Sequence, residues 1–174
     1  MSKLTPDFEN LRLGDDSGTF SVESSQEVLR ASVAMISRTR RTLEIVSRHL
    51  DPLIYDTAEF AASLRQLIID SRRARVRIIV MDSTPIISGG HRLIDLSQRL
   101  SSYIELRNPS RDHANYNSAF LLADGIGSVY RVLADRFEGV VNFNDARTAQ
   151  SLKEQFEEMW PSATPDPNFR RLNI

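Results

Sequence analysis

The sequence predicts an α/β domain built on a mixed β-sheet flanked by helices, and three patterns carry that reading. Strand-like and helix-like segments alternate through the first hundred residues, as they do where parallel strands are joined by crossover helices. The segment Val76-Arg77-Ile78-Ile79-Val80-Met81 is nearly continuous in apolar, β-branched residues, as expected of a strand buried on both faces. Strand-like runs at 119–123 and 128–133 are so closely spaced that they predict a hairpin, which adds antiparallel pairing to the sheet.

Taken in order, Thr19-Phe20-Ser21-Val22 is a short strand candidate. Ser24-Ser25-Gln26-Glu27 has capping-box spacing ahead of a helix whose Val28, Leu29, Ser32, Val33, Met35 and Ile36 share one face. Thr42 to Ser47 (TLEIVS) reads as a strand. Asp56-Thr57-Ala58-Glu59 opens a second helix carrying Phe60, Leu64, Leu67 and Ile68. After the 76–81 strand, Gly89-Gly90 is expected to start a third helix through Leu93, Leu96 and Leu100. Tyr103–Leu106 and Val140–Phe143 are further strand candidates. Asn144 or Asp145 caps a last helix that buries Ala149, Leu152, Phe156 and Met159 and stops at Pro161.

The 174 residues suit one domain with a real core. A 41% hydrophobic and 26% charged composition is that of an ordinary globular protein, and the net charge of −1 exerts no global pull on polyanions. There is no cysteine, which excludes disulfides, thiolate metal sites and a cysteine nucleophile, and which fits a reducing cytoplasm. No apolar run has the length of a membrane span. Met1 to Ser17 is polar and acidic, unlike a signal or transit peptide. The expected organisation is a flexible N-terminal arm over 1–18 and a single domain over 19–174.

From Ala119 to Trp160 the chain resembles the phospholipase D superfamily, whose motif is His-x-Lys-x4-Asp on a strand. Asp124 follows Phe120-Leu121-Leu122-Ala123 as the motif aspartate does. Arg136-Phe137-Glu138 stands where the family has a stretch resembling Asn-x-Glu, and Phe156 to Trp160 matches its closing helix. The similarity extends in pattern over about residues 20–160. It implies a phospholipase D-like single half in which Asn117 holds the histidine position, Ala119 the lysine position and Arg131-Val132 the Gly-Ser position. In the family the histidine attacks phosphorus, the lysine binds phosphate oxygens and the aspartate orients the histidine. An asparagine is no nucleophile and an alanine binds no phosphate. Other registers fail as well: His113 has Asn115 and Phe120 at the next two motif positions, His91 has Leu93 and Gln98, and His49 has Asp51 and Asp56. Only Lys3 and Lys153 are lysines, against 20 arginines. The resemblance therefore implies a degenerate, non-catalytic member with Asn117, Asp124 and Glu138 as motif remnants. It is equally consistent with a homodimer, because single-motif members pair their sheets about a two-fold axis, and with a tether to another domain in related chains.

Ligands of open α/β sheets sit beyond the carboxyl ends of the strands. Two polar loops fall there: Arg48-His49-Leu50-Asp51, and Asp82-Ser83 running on to Gly89-Gly90-His91-Arg92. Together with Asn117, Arg131 and Arg136 they are expected to line a site for an anionic small molecule or a protein partner, with Arg48 or Arg92 as the fork-shaped donor. Two alternatives stand beside this one: a divergent phosphodiesterase using His49 or His91, and a nucleic-acid-binding accessory protein using the Arg72–Arg77 edge. Arg38, Arg40 and Arg41 also cluster where a helix gives way to a strand, a place the helix dipole favours for cations. His49, Asp51 and His91 have the residue types of a metal site but no sequence-local pair of ligands, so neither metal nor cofactor is expected. The segment Pro165–Leu172 is expected to cover the core.

Overall fold

The computed structural model describes residues 6–86 and 89–169. The strands are β1 (Thr19–Val22), β2 (Thr42–Ser47), β3 (Arg75–Val80), β4 (Ile104–Arg107), β5 (Ala119–Ala123), β6 (Gly127–Arg131) and β7 (Gly139–Asn142). The helices are α1 (Ser25–Arg38), α2 (Ala58–Asp70), α3 (Arg92–Arg99) and α4 (Ala146–Met159). All seven strands form one sheet in the order β1-β7-β6-β5-β2-β3-β4. β2, β3 and β4 run parallel, while β5 pairs antiparallel with both β2 and β6, and β7 antiparallel with both β6 and β1. The expected mixed sheet is observed.

Local chemistry starts each long helix. The Ser24 hydroxyl accepts from the Glu27 N–H at 3.1 Å, and the Thr57 hydroxyl accepts from the Phe60 N–H at 3.1 Å. Asp145 accepts from the Thr148 N–H at 3.1 Å, and that bond holds its carboxyl below the usual carboxylate range. Helix α4 buries Ala149, Leu152, Phe156 and Met159, the four residues its periodicity singles out. These pack with Val46, Ile79, Phe120 and Leu122 on one face of the sheet. On the opposite face α1, α2 and α3 cover Leu43, Ile45, Ile78 and Leu121. β5 lies between the two layers with all five residues buried. Burial of Phe120, Leu121 and Leu122 contributes about 1.5–3 kcal/mol for each side chain.

Within the segment 6–18, Phe8 is buried, stacks on Phe143 and meets Phe20 edge-on, because an aromatic ring at the sheet margin has more to gain from the core than from water, while most of residues 9–18 are exposed. One expectation is corrected. Helix α3 starts later than Gly89-Gly90, with His91 as its cap. Residues 1–5, with Lys3, and Arg170 to Leu172 of the expected covering tail lie outside the described residues. Within them, Phe169 packs on the core and its carbonyl accepts from Gln98 Nε2 at 2.7 Å. Among the described residues no helix is long and apolar enough to cross a membrane.

The sheet is tied together at the β5–β6 turn. Asp124 takes φ +51°, a left-handed conformation that short polar side chains tolerate best after glycine. Its carboxylate accepts from the N–H groups of Arg40, Arg41 and Thr42 at 2.9, 2.8 and 2.9 Å. The end of β5 is thereby clamped to the start of β2. Asp124→Ala should lower unfolding free energy by about 2–4 kcal/mol, since three backbone donors lose a charged acceptor, and Asp124→Asn by less. Urea titration of the three proteins checks this, and unchanged midpoints would contradict the clamp.

Candidate functional site

The carboxyl ends of β2, β3 and β4 share one pole of the sheet with the start of β5 and the end of β6. The connection 108–118 must cross the ends of β3 and β2 to reach β5 from β4, so it forms part of this pole. Asn108 Nδ2 anchors it by donating to the Val80 carbonyl at 3.0 Å. β2 is flanked by a parallel strand on one side and an antiparallel one on the other, and at that junction Arg48 Nη1 donates to Asn117 Oδ1 at 3.4 Å. His49 Nδ1 lies 3.0 Å from the Asp82 carbonyl and 3.9 Å from Asp82 Oδ2, with its side chain 40% exposed. Asp82 also accepts from the Thr84 N–H, and the hydrogen bonds to Thr84 keep its carboxyl below the usual range.

Arg131, at the end of β6, stands directly opposite Ala119 in the β5–β6 ladder and is only 3% exposed. Its Nη1 donates to the Arg136 carbonyl at 2.8 Å, and its guanidinium lies 5.9 Å from the centre of the Phe137 ring. Burial pushes the Tyr55 hydroxyl above its ordinary pKa, and the neighbouring Arg131 and Ser47 offset only part of that rise. Among the described residues no carboxylate lies within ion-pair distance of Arg131. A guanidinium removed from water without a counter-charge costs several kcal/mol, of which a carbonyl, a phenol and a ring face return only a share. Arg131 is therefore a buried cation whose counter-charge the described residues do not supply.

The structure gathers Arg48, His49, Asp82, Asn117, Arg131 and Arg136 at this pole and assigns other work to the remaining expected residues. Asp51 accepts from the Leu53 N–H at 3.0 Å, closing a turn. The Ser83 hydroxyl is buried and donates to Asp166 Oδ2 at 2.5 Å. His91 uses both ring nitrogens: Nδ1 accepts from the Leu93 N–H at 3.1 Å, and Nε2 donates to the Leu50 carbonyl at 2.9 Å. The helix start expected to receive an anion already holds Asp56, whose carboxylate accepts from the Arg92 N–H at 2.9 Å and from Arg92 Nη1 at 3.3 Å. Asp124 is at the wrong end of β5 to orient position 117, because seven residues of extended chain separate the two by roughly 20 Å. Glu138 is exposed and borders a surface hollow of about 490 Å³ with Arg136 and Leu133. No group of three or more His, Asp or Glu side chains among the described residues is arranged to hold a metal ion.

A second charged cluster lies under α4. Glu44, 1% exposed, accepts through Oε1 from Arg77 Nη2 at 3.1 Å and from Lys153 Nζ. Arg77 also reaches Glu157 at 2.5 Å and stacks over Phe156 and Trp160. The Arg72–Arg77 edge therefore ends at Arg75, because Arg77 points into the α4 interface. Glu44 alternating with Leu43 and Ile45 in TLEIVS is the sequence signal of this buried acid.

A family model described as a domain of unknown function (DUF7931) matches residues 24–172, most of the chain. The chain belongs to this family. No curated protein matches this DUF7931 member. Among solved structures, TrmBL2, an archaeal chromatin protein whose structure shows a mode of DNA binding, is similar with a TM-score of 0.62 at 15% identity. The match covers 86% of this chain and 54% of that one, so this chain spans about half the archaeal protein. Nuc from Salmonella typhimurium, a phospholipase D family member, gives 0.59 at 14% identity over 90% of this chain and 100% of its own. NucT from Helicobacter pylori gives 0.59 at 13% identity, covering 87% and 100%. The DUF7931 chain thus has the phospholipase D-like fold.

Glu157 sets an acid dependence. Hydrogen bonding to Arg77 holds the Glu157 carboxyl below its ordinary range. Its contribution to stability is thus present above the unfolded pKa and lost as pH falls through the lower folded value. Glu157→Gln should flatten the loss of stability between about pH 5 and pH 3 while changing its pH dependence little near neutrality. Urea midpoints across that range test it, and parallel curves for the two proteins would refute it.

Proposed function

We propose that this chain is a non-catalytic phospholipase D-like domain that binds an anionic ligand, a small phosphate or carboxylate, at the carboxyl pole of its sheet. The observation that carries the reading is Arg131, a buried cation with no carboxylate within ion-pair distance among the described residues, facing Ala119 across the ladder. By the resemblance, position 119 is where the family keeps its phosphate-binding lysine. A guanidinium reaching in from β6 supplies a cation next to that alanine. Arg48 and Asn117 stand at the same pole within hydrogen-bond reach of each other and offer further donors. Loss of catalysis rests on the same register, since an asparagine stands at the nucleophile position and an amide neither attacks phosphorus nor titrates. The absence of cysteine supports a cytoplasmic setting.

The hydrolase reading narrows to His49, because His91 is spent at both nitrogens. Thermal unfolding with inorganic phosphate, sulfate and citrate tests the proposal. A ligand bound only by the folded state raises stability by about 2.7 kcal/mol at a hundred times its dissociation constant. Arg131→Met should weaken the response at least tenfold, and Arg48→Met, at a half-exposed site, should weaken it without loss of fold. A wild-type protein indifferent to all three anions would refute the proposal. So would turnover of a generic phosphodiester that disappears in His49→Ala.

A further inference from the structure

At the opposite pole we propose a surface for the phosphodiester backbone of nucleic acid, made by Arg40, Arg41, Arg72, Arg73 and Arg75. It is independent of the anion site, since the whole height of the sheet lies between them. Five observations converge on it. Arg40 and Arg41 lead into β2, and Arg72, Arg73 and Arg75 lead into the adjacent parallel strand β3. All five are exposed. Among the described residues the side chains of Arg40, Arg41, Arg72 and Arg73 have no hydrogen-bond or ion-pair partner. Asp124, the acid that reaches this loop, is spent on the backbone N–H groups of Arg40, Arg41 and Thr42, so it holds the loop without pairing the guanidinium groups.

The fifth observation is an aromatic residue that the sequence separates from the cluster. Tyr103, just ahead of β4, lies under Arg75 with the guanidinium 5.4 Å from the ring centre. Arg75 Nη1 also donates to the Ala74 carbonyl at 2.8 Å, so this cation is held in place before any partner arrives. The two arginine loops are joined as well: the Ser71 hydroxyl donates to the Arg40 carbonyl at 2.8 Å, and the Arg75 N–H to the Arg41 carbonyl at 2.9 Å.

The shape suits a chain of phosphates better than one small anion. The arginines enter two neighbouring strands about 4.8 Å apart, so the cations are spread over two adjacent loops rather than gathered on one strand end. Helix dipoles explain cations near the ends of α1 and α2. They do not explain why Arg41 and Arg75, at strand starts, join the same row. Two open hollows of about 460 Å³ each flank Arg38 and Arg40, and their walls carry the acids Asp15, Asp124 and Asp70, which disfavour a polyanion inside the hollows. With an overall charge of −1 the rest of the chain adds no general attraction for a polyanion.

The test is fluorescence anisotropy with labelled single-stranded and duplex DNA of about 20 nucleotides, a length that exceeds the site sizes of single-strand-binding domains. Wild type should bind at low salt, with log K falling linearly in log salt by about 0.7–0.9 per phosphate contacted. R40Q/R41Q and R72Q/R73Q should each weaken binding at least tenfold and reduce the salt slope, while circular dichroism shows an unchanged fold. R65Q, at an exposed arginine of α2 outside the row, should bind as wild type does. Absence of binding at low salt, an equal loss in R65Q, or retention on phosphatidylserine vesicles with none on DNA would overturn the proposal. Failure of the phosphate response at Arg131 would leave it untouched.

Discussion

The three hydrogen bonds accepted by Asp124 fix the relation on which the rest of the structure depends, the antiparallel seating of β5 against β2. β5 joins the parallel half of the sheet to the antiparallel half, and it is buried on both faces. A one-residue slip would turn Phe120 and Leu122 away from α4 and Leu121 away from α1. The clamp and the two-sided burial exclude that slip together. Once the register is set, Asn117 falls beside Arg48 and Ala119 falls opposite Arg131. The same carboxylate holds the backbone of Arg40 and Arg41, so one residue shapes both poles of the molecule.

The fold handles buried charge in two different ways. Glu44 sits under α4 with Arg77 and Lys153 against it, and Glu157 and two aromatic faces complete the arrangement. There the charges are matched, and the cluster attaches α4 to the sheet. Arg131 is buried nearly as deeply, yet among the described residues it meets a carbonyl, a phenol and a ring and no carboxylate within ion-pair distance. A cluster that balances itself needs no partner; a cation that lacks a counter-charge is stabilised by one. This contrast separates a self-balanced ion cluster from the cation on which the proposed anion site rests, although both are islands of charge in apolar strands.

Much of the architecture was legible because local signals agreed with the tertiary fold. Capping spacing placed the starts of α1 and α2, the AFLLA run marked β5 to the residue, and the 3.6-residue period of α4 named its buried face. The pole was legible from the general rule for open sheets. What sequence could not show were contacts made by residues far apart in the chain. The capture of the α3 start by Asp56, the coupling of Arg77 to Glu157 and the placement of Tyr103 under Arg75 each join separate elements. Asp124 misled for a related reason: proximity along a motif suggested proximity in space, whereas an extended strand carries its two ends to opposite poles.

The central claim is that Arg131 is the buried half of an anion site. Its most direct measurement is a crystal structure grown in phosphate or sulfate, with selenate as an anomalous marker. The account predicts an anion within hydrogen-bond distance of the Arg131 guanidinium, with Arg48 or Asn117 as a second donor and the loop after β6 displaced to admit it. A packed, anion-free pole at saturating salt, with Arg131 still bound to the Arg136 carbonyl, would contradict it.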